Sequence, residues 1–356
     1  MRWRRVERGR DGCSASPLRD AGISVPFAYR IDDMSRTTVN DTWVITCYFN
    51  AVGSRSRRDN FRHFAESLAG QGGRLLVVEL ARSDGGFDLT AGAPDGQYVR
   101  VRGNGLIWQK ERMLNLALTY LPSDCRKIVW LDADLIFESD DWLASTSAAL
   151  EKHVVVQPFD RSVWLPKGHT RYRGESQPGG EMRESFASCY RRDPLLSRHE
   201  IYVNHGHTGF AWAARRDFLD ACRLYDSSIT GGGDHLMAHV FAGALSSPCI
   251  AKMIGEGHAY ARHFNDWAVR ADKLCQGRLG CVPGTVFHLW HGELEKRRYA
   301  ERTREFKDYD FDPDRDIRID ENGLWEWAEA SLALRSLDAA GFHSRDEDGA
   351  DASVSD

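Results

Sequence analysis

The sequence predicts an α/β fold: a mostly parallel central sheet flanked by helices, with a C-terminal helical extension. Three observations carry this. Short runs of β-branched and aromatic residues alternate with amphipathic helical segments from Trp43 onward. Their spacing suits βαβ crossovers, which build parallel sheets. The most apolar short run, Lys127-Ile-Val-Trp-Leu131, stops at Asp132-Ala-Asp134, two carboxylates where a buried strand would emerge.

Each element follows in order. Trp43–Phe49 reads as the first strand, and Asn60–Leu68 as a helix with Phe61, Phe64, Ala65 and Leu68 on one face. Arg74–Leu80 and Tyr98–Val101 are the next strands. Gln109–Leu121 is a helix with Met113, Leu116, Ala117 and Tyr120 as its stripe, and it leads into the strand ending at Asp132. Right-handed crossovers in such a Rossmann-like sheet place the ends of the first and fourth strands on one rim. A helix after Asp140 and a strand His153–Gln157 come next. Residues 160–205 read as irregular, a candidate lid or an unrecognised helix pair. A strand Thr208–Ala213, a helix Arg216–Leu224, a helix opened by Gly231-Gly-Gly-Asp234, a strand Thr285–Trp290 and a basic helix to Phe306 complete the core.

The bulk numbers bound the function. With 356 residues, 42% hydrophobic and 28% charged, the chain can build a sizeable core. A net charge of -5 gives no reason to expect direct nucleic-acid binding. No apolar run spans a bilayer and no signal core follows the basic start, so a cytoplasmic location is expected. The eight cysteines contain no C-x-x-C pair and are expected mostly as buried thiols, a local pair of Cys275 and Cys281 across a Gly-rich turn being the less favoured alternative. Met34 precedes the first strand closely enough to be an alternative start. Oligomeric state is not readable.

The residues also suggest chemistry. Two acids at a strand end repel unless a cation joins them, and Mn²⁺ or Mg²⁺ commonly uses one or two carboxylates plus substrate phosphates. Carboxylates alone rarely complete such a shell. His291 and His288 are the candidate imidazoles; the alternatives are a helix cap for His291 and a core-facing strand position for His288. Lys110 and Arg112 can neutralise a diphosphate or hold donor hydroxyls, or simply form a solvated helix face. Arg57, with Arg55 and Arg58, can cover a nucleotide from a loop after the first strand. Asp234, behind three glycines that permit close approach, is the candidate general base, with a plain N-cap as the alternative. His235 and His207 are weaker alternatives for the base, and His207, Trp212, Trp164 and His235 are candidates for lining an acceptor pocket, with plain packing as the alternative.

In their order, Tyr48-Phe49-Asn50, Trp108–Asn115, Asp132-Ala-Asp134, Asn204–Trp212, Ile229–His235 and Val286–Gly292 with Arg297, Arg298 and Arg302 resemble the metal-dependent nucleotide-sugar glycosyltransferases of the GT-A fold, bacterial and phage-type members included. The resemblance implies a nucleotide-sugar donor, UDP-linked by expectation, an acceptor hydroxyl on a glycan or other molecule, and inversion. It implies Asn50 in the nucleoside pocket, Asp134 as direct metal ligand, and Asp132 on the ribose or donor sugar and through the metal. It implies 41–306 as the catalytic domain (41–135 for the donor, 136–306 for the acceptor), with 307–343 as an extension after it; composition marks the polar, Arg-rich residues 1–40 as a flexible segment and the Asp-, Ser- and Gly-rich residues 344–356 as a disordered acidic tail. The rival readings are a metal-dependent nucleotidyl- or phosphotransferase, which lacks a G-x-x-x-x-G-K-[ST] loop, and a non-catalytic nucleotide-sugar-binding module. A zinc hydrolase built from His205, His207, His235 and His288 lacks H-E-x-x-H.

Overall fold

The computed structural model describes residues 39–89, 96–103, 106–174, 180–199, 202–292, 309–329, 331, 334–336 and 347–348, all within one compact unit, Thr38–Asp356. The expectations for residues 1–38, for the basic helix with Arg297, Arg298 and Arg302, and for most of the C-terminal tail lie outside the described residues.

In chain order the elements are β1 (Thr42–Phe49), α1 (Arg55–Gly70), β2 (Leu75–Arg82), β3 (Gln97–Gly103), α2 (Lys110–Ala117), β4 (Lys127–Leu131), β5 (Leu135–Phe137) and α3 (Trp142–Ala149). Then come β6 (Val155–Gln157), β7 (Arg161–Trp164), β8 (Glu181–Glu184), α4 (Phe186–Arg192), α5 (Tyr202–His205), β9 (Ala211–Arg215), α6 (Arg216–Cys222), α7 (Gly233–Phe241), α8 (Pro248–Ile254) and α9 (Ala259–Cys275). The last are β10 (Leu279–Cys281), β11 (Thr285–His288), α10 (Pro313–Asp316), β12 (Ile317–Ile319) and β13 (Trp325–Trp327).

The main sheet has seven strands in the order β10-β6-β9-β4-β1-β2-β3. Every pairing is parallel except those of β9, which runs antiparallel between β4 and β6. Both faces are covered, so strand residues alternate between two cores rather than between core and water. Trp43, Ile45, Ile128 and Trp130 pack on one side. Val44, Tyr48, Val129 and Leu131 pack on the other. β1 and β4 lie side by side and parallel, so Asn50 and Asp132 leave the sheet on the same rim. A second sheet, β5-β11-β7-β8, continues from that rim. The stretch 160–205, expected to be irregular, instead supplies β7, β8, α4 and α5. Its short elements lack the long periodic runs that make helices and strands visible in sequence.

Of the expected C-terminal helical extension, the described residues show the single turn α10, the antiparallel ribbon β12–β13 and helical residues at 334–336, where the Arg335 amide donates to Ser331 O at 3.0 Å. The ribbon packs Trp327 with Ile107, Ile229, Phe311 and Ile317. The expected disorder of the tail is corrected at Glu347 and Asp348, which dock at the start of α1. The Asp348 carboxylate accepts hydrogen bonds from the Ser54 hydroxyl at 2.8 Å and from the Ser56 and Arg55 amides at 2.8 and 3.1 Å. Unpaired amides and the positive end of the helix dipole make a helix start attractive to an anion, and this contact draws the Asp348 pKa far down despite partial burial.

Candidate active site

β4 is buried along all five residues and held on both edges, which fixes where its two following acids emerge. The Asp132 amide donates to Phe210 O at 2.9 Å, and Leu289 donates to Asp134 O at 2.9 Å. The second of these bonds ties Asp134 to the strand that carries the histidines, since β5 pairs antiparallel with β11 at Leu135 and His288. His291 Nε2 therefore lies 2.9 Å from Asp134 Oδ2 and His288 Nε2 lies 3.7 Å from it. The two Nε2 atoms are 3.2 Å apart. Asp134, His288 and His291 form one of two groups among the described residues with the composition and closeness of a metal site. His288 is also the core-facing strand residue of the bland alternative, and its ring stacks on Phe210 at 4.7 Å. Phe210 holds a positive φ of 80°, costly for a side-chain-bearing residue, and strain of this kind gathers at functional sites.

Beside this trio sits a charged cluster. Lys110, the first residue of α2, bridges Asp132 Oδ1 at 2.5 Å and Asp234 Oδ2 at 2.6 Å. Burial works against the ammonium, but the two carboxylates outweigh it and hold the Lys110 pKa well above its ordinary value. Burial pushes the Asp132 carboxyl up to about 6, Asp234 and Asp134 adding to the rise and Lys110 opposing it. Asp132 thus has Lys110 as its cationic partner, and it is not among the three residues grouped around the imidazoles. Sequence reasoning missed Glu111, which is 2% exposed and whose carboxyl is pushed up to about 8 by burial and by Asp234. A Cβ on Gly233 would sit 2.5 Å from Glu111 Oε1, so a larger residue at the start of α7 would have to push that carboxyl aside. Gly232, at φ 80°, is the N-cap of α7. Asp234 is therefore not the cap; its carboxylate turns to Lys110, and Oδ1 is buried with no hydrogen-bond partner among the described residues.

The remaining expectations divide. His207 faces this cluster across Gly209, where a Cβ would lie 3.3 Å from His207 Nε2 and 4.0 Å from Asp234 Oδ2. Its ring packs edge-on to Trp164 at 4.8 Å, and burial holds its pKa well below the ordinary value. Trp212 is corrected: it is 1% exposed, its indole N–H donates to Thr208 O, and it belongs to the core rather than a pocket. His235 is corrected too, because its ring turns to His205 and His239, with centroids 5.2 and 4.9 Å away. Arg112 is engaged by the C-terminal ribbon and Asp226. Its guanidinium bonds Gly323 O and Asp226 and lies over the Trp325 ring, bracing β12–β13 against α2. Asn50 uses its side chain on the Ser54 backbone and on Asp88, closing the turn before α1. Arg57 is paired with Glu347, its Nε donating at 2.9 Å.

No protein-family model and no curated protein matches the chain. Among solved structures it is similar to the catalytic domain of Drosophila beta1,4galactosyltransferase 7 in complex with xylobiose, at 14% identity and a TM-score of 0.28, over 57% of this chain and 61% of that one. A variant of the same enzyme with manganese, UDP-Gal and xylobiose gives 12% and 0.29, over 57% and 62%. The 4-diphosphocytidyl-2C-methyl-D-erythritolsynthase of Anaerococcus prevotii DSM 20548 gives 13% and 0.30, over 68% and 87%. The chain thus spans about three fifths of the first two. Likenesses this shallow carry no argument about activity. No helix among the described residues is long and apolar enough to cross a membrane.

Proposed function

We propose that the chain is a divalent-metal-dependent glycosyltransferase of the GT-A type, moving a sugar from a nucleotide-sugar of the UDP class to an acceptor hydroxyl with inversion. The observation that carries this reading is the convergence of Asp134, His288 and His291 beside the Lys110–Asp132–Asp234 cluster, at the end of a buried strand. The donor set fits a cation: one carboxylate oxygen faces two imidazole nitrogens. Two imidazoles favour Mn²⁺ over Mg²⁺, which prefers oxygen ligands and its own waters. When bound there, such an ion supplies positive charge against the charge that grows on a departing diphosphate.

The side chains of this chain do the rest. Lys110 fixes Asp234 by Oδ2, which leaves Oδ1 to take the acceptor hydroxyl's proton as that oxygen attacks. His207 is held neutral by burial, so it serves as a hydrogen-bonding wall rather than a cation. Trp164 offers part of an aromatic surface for a sugar's C–H face. Arg57, once released by Glu347, presents a planar fork suited to phosphate.

The test is hydrolysis and transfer assayed over a panel of nucleotide-sugars with Mn²⁺. Asp134→Ala should abolish turnover while circular dichroism stays unchanged. Full activity in the chelator-treated enzyme contradicts the reading. Release of pyrophosphate from a nucleoside triphosphate would assign nucleotidyl transfer instead, and donor binding without any turnover would leave a binding module.

A further inference from the structure

A second group of ligands lies apart from the acidic rim. His205 ends α5, His235 and His239 sit one turn apart on α7, and Cys249 is in the first turn of α8. One ligand atom from each falls within 4.8 Å of all the others. His205 and His239 are fully buried and Cys249 is 4% exposed.

The outer nitrogens are tied back. His205 Nδ1 lies 3.0 Å from Gly206 O, His239 Nδ1 lies 2.7 Å from Ser197 O, and His235 Nδ1 lies 3.3 Å from Thr208 Oγ1. Each imidazole is thus held by a backbone carbonyl or hydroxyl with Nε2 as its ligand atom, the arrangement by which proteins orient metal-binding histidines. Cys249 Sγ is 3.6 Å from His205 Nε2. A tetrahedral zinc with ordinary Zn–N and Zn–S bonds sets that edge at about 3.6 Å.

We propose that His205, His235, His239 and Cys249 form a closed, structural zinc site. Hydrogen bonding alone explains less: the Cys249 thiol lies 3.4 Å from His199 O and 3.6 Å from His205 Nε2, and His239 Nε2 is buried with no hydrogen-bond partner among the described residues. Buried polar atoms are seldom left so. Neutral imidazole and thiolate are the forms that ligate. Three imidazoles and a thiolate suit Zn²⁺, and four protein ligands leave no open position for catalysis. The ion would tie α5, two residues before His207, to α7, next to Asp234, and to α8. It would therefore hold the two walls of the acidic site at a fixed separation.

Metal analysis of the full chain, purified without chelator, tests this. The expected content is about one zinc per chain, retained in Asp134→Ala and lost in Cys249→Ser and His239→Leu. The metal-stripped Asp134→Ala protein loaded with Co²⁺ should show tetrahedral visible bands with a thiolate charge-transfer band that Cys249→Ser removes. That readout survives any failure of the glycosyltransferase reading, because no turnover is involved. A folded chain that takes up neither zinc nor cobalt overturns the proposal, and so does a cobalt spectrum indifferent to Cys249→Ser.

Discussion

Lys110→Met isolates the electrostatics of the acidic rim. The substitution keeps an unbranched apolar stem and removes the ammonium that lies 2.5 Å from Asp132 and 2.6 Å from Asp234. Removing one partner of a buried pair commonly costs about 3–5 kcal/mol, since an uncompensated charge stays behind. Protonation caps that cost. Placing a proton on one carboxylate of ordinary pKa near pH 7 costs roughly 4 kcal/mol, and one shared proton suffices for the pair. The Asp132 side chain is 30% exposed, so water relieves part of the remainder. The expected loss is about 2–3 kcal/mol near pH 7.5. The sign of its pH dependence follows from linkage. Without Lys110 the Asp132 carboxyl pKa rises further above its unfolded value, so the penalty is absent in acid and accumulates as pH climbs. Urea unfolding at about pH 5 and about pH 7.5 should show a gap between wild type and variant that widens with pH. Adding Asp234→Asn should restore most of the loss. A gap equal at both pH values, or none at the higher one, refutes the assignment of Lys110 as the counter-ion of both acids.

Three further outcomes are expected. Turnover should fall as pH drops through about 6, because Asp132 takes up a proton there and releases Lys110, and Asp132→Asn should erase that limb of the profile. Glu111 has a folded pKa of about 8, above its ordinary 4.5, so it costs the wild-type fold stability as pH rises between those values. Thermal melts of Glu111→Gln should lose that decline and exceed wild type above about pH 8. Glu347→Gln should lower the KM for the nucleotide-sugar by freeing Arg57; a raised KM would mean that the tail belongs to the donor pocket.

Much of the architecture was legible before any coordinates. The buried run ending at Asp132, the strand from Trp43 and the helix with Phe61, Phe64 and Leu68 announce themselves because a strand or helix writes its own period into neighbouring residues. That signal says nothing of direction, so β9 could be read as a strand but not as the antiparallel insertion between β4 and β6. Nor does it separate a pocket from a core, which is how Trp212 came to be assigned to the acceptor. The strand-and-helix alternation, and the carboxylates and imidazoles on offer at strand ends, are written in the order of residues along the chain. Their partners emerge on folding: Lys110 between Asp132 and Asp234, His288 and His291 on Asp134, and His235 with His205, His239 and Cys249. Charge pairing and ligation act through space over a few ångströms, and the chain brings those atoms together only after crossing the sheet.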